Sequence, residues 1–428
     1  MKNVVSKVVS GMAVGLSSLA LAVPVIQQNS VTMVQQGGTV MVNYTLEGER
    51  GIVTVDIQTN GVSIGGSHLT YLSGDVNRLV EPGARSFTWK PFKAWEGNQS
   101  SNATAVVSAW ATNCPPDYMA VSLVAANTVR YYPDAESVPG GVTNDLYKTD
   151  MLLMRKIPAA NVEWRMGSPT TETGRGSISE EPHLVTLDED YYIGVYPVTQ
   201  RQYALVVNGS RPSYFKLDAD YATRPVESVS YRMARGAIGG SYSWPRDGHA
   251  VDGDSFFGRL NARVGMAGFD LPTEAQWEFA CRAGCGAALY SGEELSNATT
   301  SPNLNAVGRY RYNGGYTGDD FSAEPDAQCT AEHGTAKVGS YTPNAWGLYD
   351  MLGNVFEWVL DAYAENITSC DPNTGPSDNP TSGYRMCRGG QWKSAASQCR
   401  SAYRDYYIYE QCRSNVGIRA ARTAVVSR

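Results

Sequence analysis

Hydrophobic and polar positions alternate with a period of two between residues 31 and 135, in runs such as VTMVQQ, TVMVNYTLE, GIVTVDIQT, RSFTWKPF, ATAVVSAWA and DYMAVSLVA. Gly, Asn, Pro and Ser separate the runs, and no helical pattern intervenes. Such alternation places successive side chains on opposite faces of half-buried strands. Strands at this spacing predict an all-β sandwich of the immunoglobulin or fibronectin type over residues 23–135. The segment holds no cluster of catalytic residue types, so a spacer or adhesion module is expected. Residues 136–147 break the pattern with Pro, Gly and acidic residues and read as a linker.

From 148 to 428 a second domain with few long helical periods is expected. The clearest helix is predicted over 273–283, TEAQWEFACRA. There Thr273 can cap, Gln276 completes a capping box, and Trp277, Phe279, Ala280 and Cys281 supply apolar positions. Another is expected over 199–207, capped by Thr199, with Tyr203 and Val206 facing inward. The stretch 346–361, WGLYDMLGNVFEWVLD, fits neither an amphipathic helix nor a plain strand. Asp350 and Glu357 flank a turn at Gly353-Asn354, between Trp346, Tyr349, Phe356 and Trp358. Carbonyls and two carboxylates aimed at one point would suit calcium. A tight turn whose acids cap backbone amides satisfies the same residues, and both readings stand at this level.

Composition narrows the class. Charged residues are 18% of the chain, while Gly (43) and Tyr (26) are abundant, which suits a loop-rich extracellular protein. The net charge of −7, with no basic block, argues against a nucleic-acid partner. Residues 1–22 read as a secretory signal: Lys2 and Lys7, an apolar run over 8–21, then Ala20-Leu21-Ala22. No later stretch is long and apolar enough for a membrane span. The expected location is periplasmic, extracellular or surface-associated. Cys114, Cys281, Cys285, Cys329, Cys370, Cys387, Cys399 and Cys412 make an even number, which in an exported chain predicts disulfides. His68, His183, His249 and His333 cluster with none of them, so a zinc site is not expected.

Ordered motifs run through the second domain: Trp164-Arg165-Met166-Gly167-Ser168, Glu181-Pro182-His183, Tyr192-Ile193-Gly194-Val195-Tyr196-Pro197-Val198-Thr199 and Arg224-Pro225-Val226. Then follow Leu271-Pro272-Thr273-Glu274-Ala275-Gln276-Trp277-Glu278, Gly347-Leu348-Tyr349-Asp350-Met351, Gly353-Asn354-Val355-Phe356-Glu357-Trp358, Arg388-Gly389-Gly390-Gln391-Trp392 and Gly417-Ile418-Arg419. In these the domain resembles the sulfatase-modifying-factor, or formylglycine-generating-enzyme, family. The resemblance implies an α+β fold of the C-type-lectin kind after the β-sandwich. It also implies a structural calcium held by Asp350, Gly353, Val355 and Glu357, the glycine and valine through carbonyls. For the family's other calcium site the nearest positions are Asn305, Ala306 and the 319–321 region.

The family's oxidases convert a substrate cysteine to formylglycine with oxygen, using two cysteines that hold copper(I). Counted from Gly389-Gly390, Ser394 stands where the first cysteine belongs and Cys399 keeps the second. Aligned on Arg400 and Arg404 instead, neither position is a cysteine. One thiolate cannot make the soft two-sulfur set that copper(I) takes, so copper is not expected. Cys399 is expected in a disulfide with Cys387, Cys412 or Cys370. The reading is a non-catalytic lectin-fold binding or adhesion protein; the alternatives are a sulfatase-activating oxidase and an enzyme that reuses the cleft with other residues. Active relatives hold a peptide at the corresponding surface, and some lectin-fold members bind partner proteins through diversified C-terminal segments. Here Trp392, Tyr403, Arg404, Asp405, Tyr406, Tyr407 and Tyr409 form the expected face for a protein or peptide ligand, because tyrosine gives rigid contact area with a polar tip. Packing of a loop-rich fold would use the same tyrosines.

Overall fold

The computed structural model describes residues 23–176, 180–217, 219–236, 251–314, 333–365, 367–369, 372 and 383–426. Five of the six alternating runs form the expected sandwich. One sheet pairs Thr39–Glu47 with Thr32–Gln36, Val25–Ile26 and Gly83–Trp89, and Leu72–Gly74 joins Gly83–Trp89. The other pairs Gly51–Thr59 with Ala103–Trp110, Arg78–Val80 and Val62–Ser63. Val42, Tyr44, Val53, Ile57, Phe87 and Trp89 fill the space between the sheets. Thr39–Glu47 keeps the alternation its sequence predicts, with every second side chain buried.

The sixth run belongs elsewhere, which moves the expected boundary at 135 toward the N-terminus. Tyr118–Ser122 is hydrogen-bonded on one side to Val129–Tyr132 and on the other to Met151–Ile157. Tyr191–Gly194 and Ala421–Thr423 complete that five-stranded sheet. All five residues of Tyr118–Ser122 are buried, as in a strand covered on both faces. One of its partners, Met151–Ile157, lies beyond the expected linker, so its own alternation could not reveal which sheet it joins. The 136–147 segment is packed rather than a free linker: Val138 and Tyr147 are buried with Tyr132, Leu153 and Tyr196. Tyr147 also donates its hydroxyl to the Pro139 carbonyl at 2.9 Å.

Both expected helices form. Glu274–Arg282 is closed by a reciprocal cap, the Gln276 amide N–H donating to Thr273 Oγ1 (3.1 Å) and the Thr273 N–H to Gln276 Oε1 (2.8 Å). Gln200–Val206 has the same device between Thr199 and Gln202. The helix Glu274–Arg282 contacts Phe356–Ala362 and Tyr384–Arg388 of a four-stranded sheet. In that sheet Phe356–Ala362 lies between Tyr384–Arg388 and the parallel strand Val416–Gly417, with Arg404–Ile408 outside Tyr384–Arg388. Trp277 and Trp358 are fully buried at this junction. Their indole N–H groups donate to Glu357 (2.6 Å) and the Val229 carbonyl (2.8 Å), so both rings are buried without an orphaned donor.

Candidate functional site

The stretch Arg404–Ile408, within the expected binding face, is a strand with two distinct faces. Arg404 turns inward, and its Nε reaches Glu274 at 2.6 Å. Tyr406 stacks among Tyr363 and Tyr384, with ring centroids 4.2 and 5.3 Å away. Tyr407, on the opposite face, lies against Phe356 (6.1 Å) and Trp358 (6.2 Å) and opens onto a cleft of about 500 Å³. The segment 391–398 forms a second wall and residues 174–176 a third. Gly174 makes the third wall possible. At φ +79° any added Cβ would sit 2.6 Å from Ser397 Cβ, so only glycine lets the loop close on that segment.

Arg175, Lys393 and Arg413 bring positive charge to the lining, and Gln391, Gln398 and Asn415 bring amides. Among the described residues the lining holds no carboxylate or thiol, and Arg175 pairs outside it with Glu181 at 3.2 Å. Arg413 lies over the Tyr407 ring, 4.4 Å from its centre. Tyr403 stacks on Phe356 and accepts a hydrogen bond from the Gln398 amide at 3.2 Å. Burial pushes the Tyr403 and Tyr407 hydroxyls up, so both remain neutral hydrogen-bonding groups at any physiological pH.

An ionic layer lies beneath the cleft. Arg400, fully buried, donates to Glu180 through Nη1 and Nη2, both at 2.8 Å, and also pairs with Glu172. Burial opposes ionisation of both acids. Pairing with Arg400 holds Glu180 net below the usual carboxylate range, while burial leaves Glu172 net above it. Glu180 also accepts from Ser168 (2.6 Å) and from the Gly176 N–H (3.0 Å), which ties the 174–176 wall to Arg400. Arg388 pairs with Glu278 and Glu274 in the same layer.

In the 346–361 stretch, Glu357 is fully buried. It receives Arg419 at 2.8, 2.9 and 3.1 Å and the Trp277 indole on the same carboxylate. Asp350, at φ 55°, accepts from the Gly339 N–H (2.7 Å) and from the Asn354 amide (3.4 Å). Burial pushes its carboxyl up to about 6 against those hydrogen bonds.

A model of the sulfatase-modifying factor enzyme 1-like domain matches residues 153–424, well over half of the chain. The chain belongs to the sulfatase-modifying factor family. It is 28% identical over 261 residues to the serine/threonine-protein kinase pkn1 of Chlamydia pneumoniae, covering 59% of this chain and 36% of that protein. It is 34% identical over 165 residues to the formylglycine-generating enzyme of Streptomyces coelicolor, covering 37% of this chain and 48% of that one. These matches span half or less of those relatives' own length. The solved structure of Treponema denticola variable protein 1 is similar at 27% identity and a TM-score of 0.46, covering 64% of this chain and 95% of that one.

Cys399 is fully buried and free; so are Cys281 and Cys387, while Cys114, Cys285 and Cys412 are free at greater exposure. The disulfide expected from Cys399 to Cys387 or Cys412 is therefore absent, and Cys329 and Cys370 lie outside the described residues. Cys399 Sγ packs on Gly390, where an added Cβ would fall 2.5 Å from the sulfur. Burial pushes this thiol up to about 12, so it carries no thiolate at neutral pH. Ser394, also fully buried, accepts the Gln391 N–H at 3.2 Å. A hydroxyl and a protonated thiol do not fit copper(I).

The calcium positions divide. Asp350 offers a hard cation a buried carboxylate that pairs with no Lys or Arg side chain among the described residues. Glu357 would share its charge with Arg419. Asn305 and Ala306 are exposed at the end of the short helix Pro302–Asn305, and 319–321 lie outside the described residues. Of the expected binding face, Trp392 and Arg404 are corrected to buried supports. Trp392 packs edge-on against Phe215 at 5.2 Å, and Arg404 is sequestered by Glu274. Asp405 is partly buried and accepts the Tyr407 hydroxyl at 3.4 Å, while Tyr409 bonds Glu410 at the far end of the strand. Arg175, Arg413, Gln398 and Asn415 were missed. Nothing local marks them, because the cleft unites segments more than two hundred residues apart.

Proposed function

We propose that this protein is an exported, non-catalytic member of its family that binds a protein or peptide ligand in the cleft at Tyr403 and Tyr407. The observation that carries this reading is the lining itself. Two neutral tyrosines, amides and three cations face the space, while the one cysteine of the segment is buried behind it. Tyrosines give contact area at low entropic cost, and guanidinium groups pair with carboxylates. The ligand expected is a peptide with acidic and polar side chains. Panning a displayed peptide library on the purified protein should enrich acidic sequences, and Tyr407→Ala or Arg413→Ala should weaken them about tenfold or more. With copper(I) and a Cys-x-Pro-x-Arg peptide, no oxygen uptake is expected. Turnover there would establish the oxidase instead, and equal binding by both variants would remove the cleft from the account.

We further propose that the 350–357 loop takes calcium through Asp350, with the Gly353 and Val355 carbonyls and a Glu357 shared with Arg419. The ion would supply the positive charge that Asp350 otherwise lacks, fixing the turn rather than doing chemistry. Calcium should then raise the melting temperature of wild-type protein and leave Asp350→Asn unmoved. An equal rise in both would place the ion elsewhere.

A further inference from the structure

We propose that the N-terminal sandwich carries its own binding site for a neutral saccharide. The site is a cleft of about 770 Å³ at one end of the sheet, in the size range of small-ligand sites. Its floor is one cross-strand row, in which Gln35 pairs with Val40 and Val40 with Trp89. Residues so paired share a face, so the polar Gln35 stands at the open end of the same surface that Trp89 closes. The segment 95–103 forms the opposite wall and supplies Trp95, Asn98, Gln99, Ser100 and Ser101.

Three features select the ligand. The lining holds no charged side chain, although the chain as a whole carries −7, so neither an acidic nor a basic partner finds a counter-charge. Its polar groups are amides and hydroxyls, each both donor and acceptor, which matches sugar hydroxyls that also do both. A proline-rich backbone, short of N–H groups, needs mainly donors, and the Trp89 N–H is already spent on the His68 carbonyl at 2.8 Å. The lining is aromatic at its closed end, where half-buried Trp95 lies 6.3 Å from Trp89. Aromatic faces give apolar contact to the C–H side of a pyranose, while the amide wall meets its hydroxyl edge.

The test uses the full chain and a panel of neutral di- to hexasaccharides of glucose, galactose, mannose and N-acetylglucosamine, read by tryptophan fluorescence. At least one should bind. Trp95→Ala should weaken it about tenfold. Gln99→Ala, an exposed change that leaves the melting temperature alone, should weaken it by roughly threefold, on the order of one lost hydrogen bond. Tyr407→Ala, in the other domain, should bind the sugar as wild type does. Absence of binding across the panel at millimolar sugar, or full binding by both sandwich variants, would overturn the site. So would a proline-rich peptide that occupies the cleft when no sugar does.

Discussion

Replacing Arg419 by methionine is expected to cost this protein about 3–5 kcal/mol, the usual penalty for stranding one member of a buried ion pair. Arg419 is fully buried and uses its whole guanidinium fork. Beyond Glu357, it donates to the carbonyls of Gly194 (2.8 Å), Val195 (3.2 Å), Tyr349 (2.8 Å) and Asp350 (3.3 Å). One side chain thus joins the end of a strand in the five-stranded sheet to the turn that opens the four-stranded one. Methionine fills much of the volume but leaves the Glu357 charge with the Trp277 indole and no cation, and removes one donor from each of the four carbonyls, of which Val195 keeps the Tyr349 N–H. Arg419→Lys should recover only part of the loss, because an ammonium cannot reproduce the planar fork. The double variant Arg419→Met with Glu357→Gln should lose less than the single change, since the stranded charge is gone. Urea unfolding of the three variants measures this. A single variant within about 1 kcal/mol of wild type would mean that the pair contributes little.

Arg400→Met is expected to be nearly as costly, about 3 kcal/mol or more, and to act on binding as well. Arg400 neutralises Glu172 and Glu180, and Glu180 in turn holds the Gly176 N–H beside the cleft. Removing the guanidinium leaves two buried acids facing each other and releases the 174–176 wall. Loss of stability should therefore come with loss of peptide affinity. Glu172→Gln separates the two effects. It keeps Arg400 paired with Glu180 and removes the acid whose ionisation burial already opposes, so it should cost much less and leave binding intact. A destabilised Arg400→Met that still binds acidic peptides with full affinity would show that the cleft does not depend on this layer.

The same residues show why sequence reading succeeded and failed where it did. The capping boxes at Thr273 and Gln276 were legible because every participant lies within one turn. The five sandwich strands were legible because period-two burial is written residue by residue. The strand Arg404–Ile408 is not legible as one, since tyrosine and arginine occupy both of its sides. Only the ladder to Tyr384–Arg388 shows that Arg404 and Tyr406 turn one way and Tyr407 the other. Cysteine count suggests cross-links, but among the described residues Cys281, Cys387 and Cys399 are buried and free, which only their placement in the fold shows.

By itself, the sequence determined the family, the presence of two β-rich parts and the capped helices. Those are local facts: a motif, a period or a cap is complete within a few residues. The tertiary structure decided which sheet Tyr118–Ser122 joins, that Cys399 is turned inward, and that Arg175, Lys393 and Arg413 meet Tyr403 and Tyr407 around one cleft. Those follow from pairings across long separations. A guanidinium or a carboxylate looks the same in sequence whether it ends in water, in a cleft or against a buried partner.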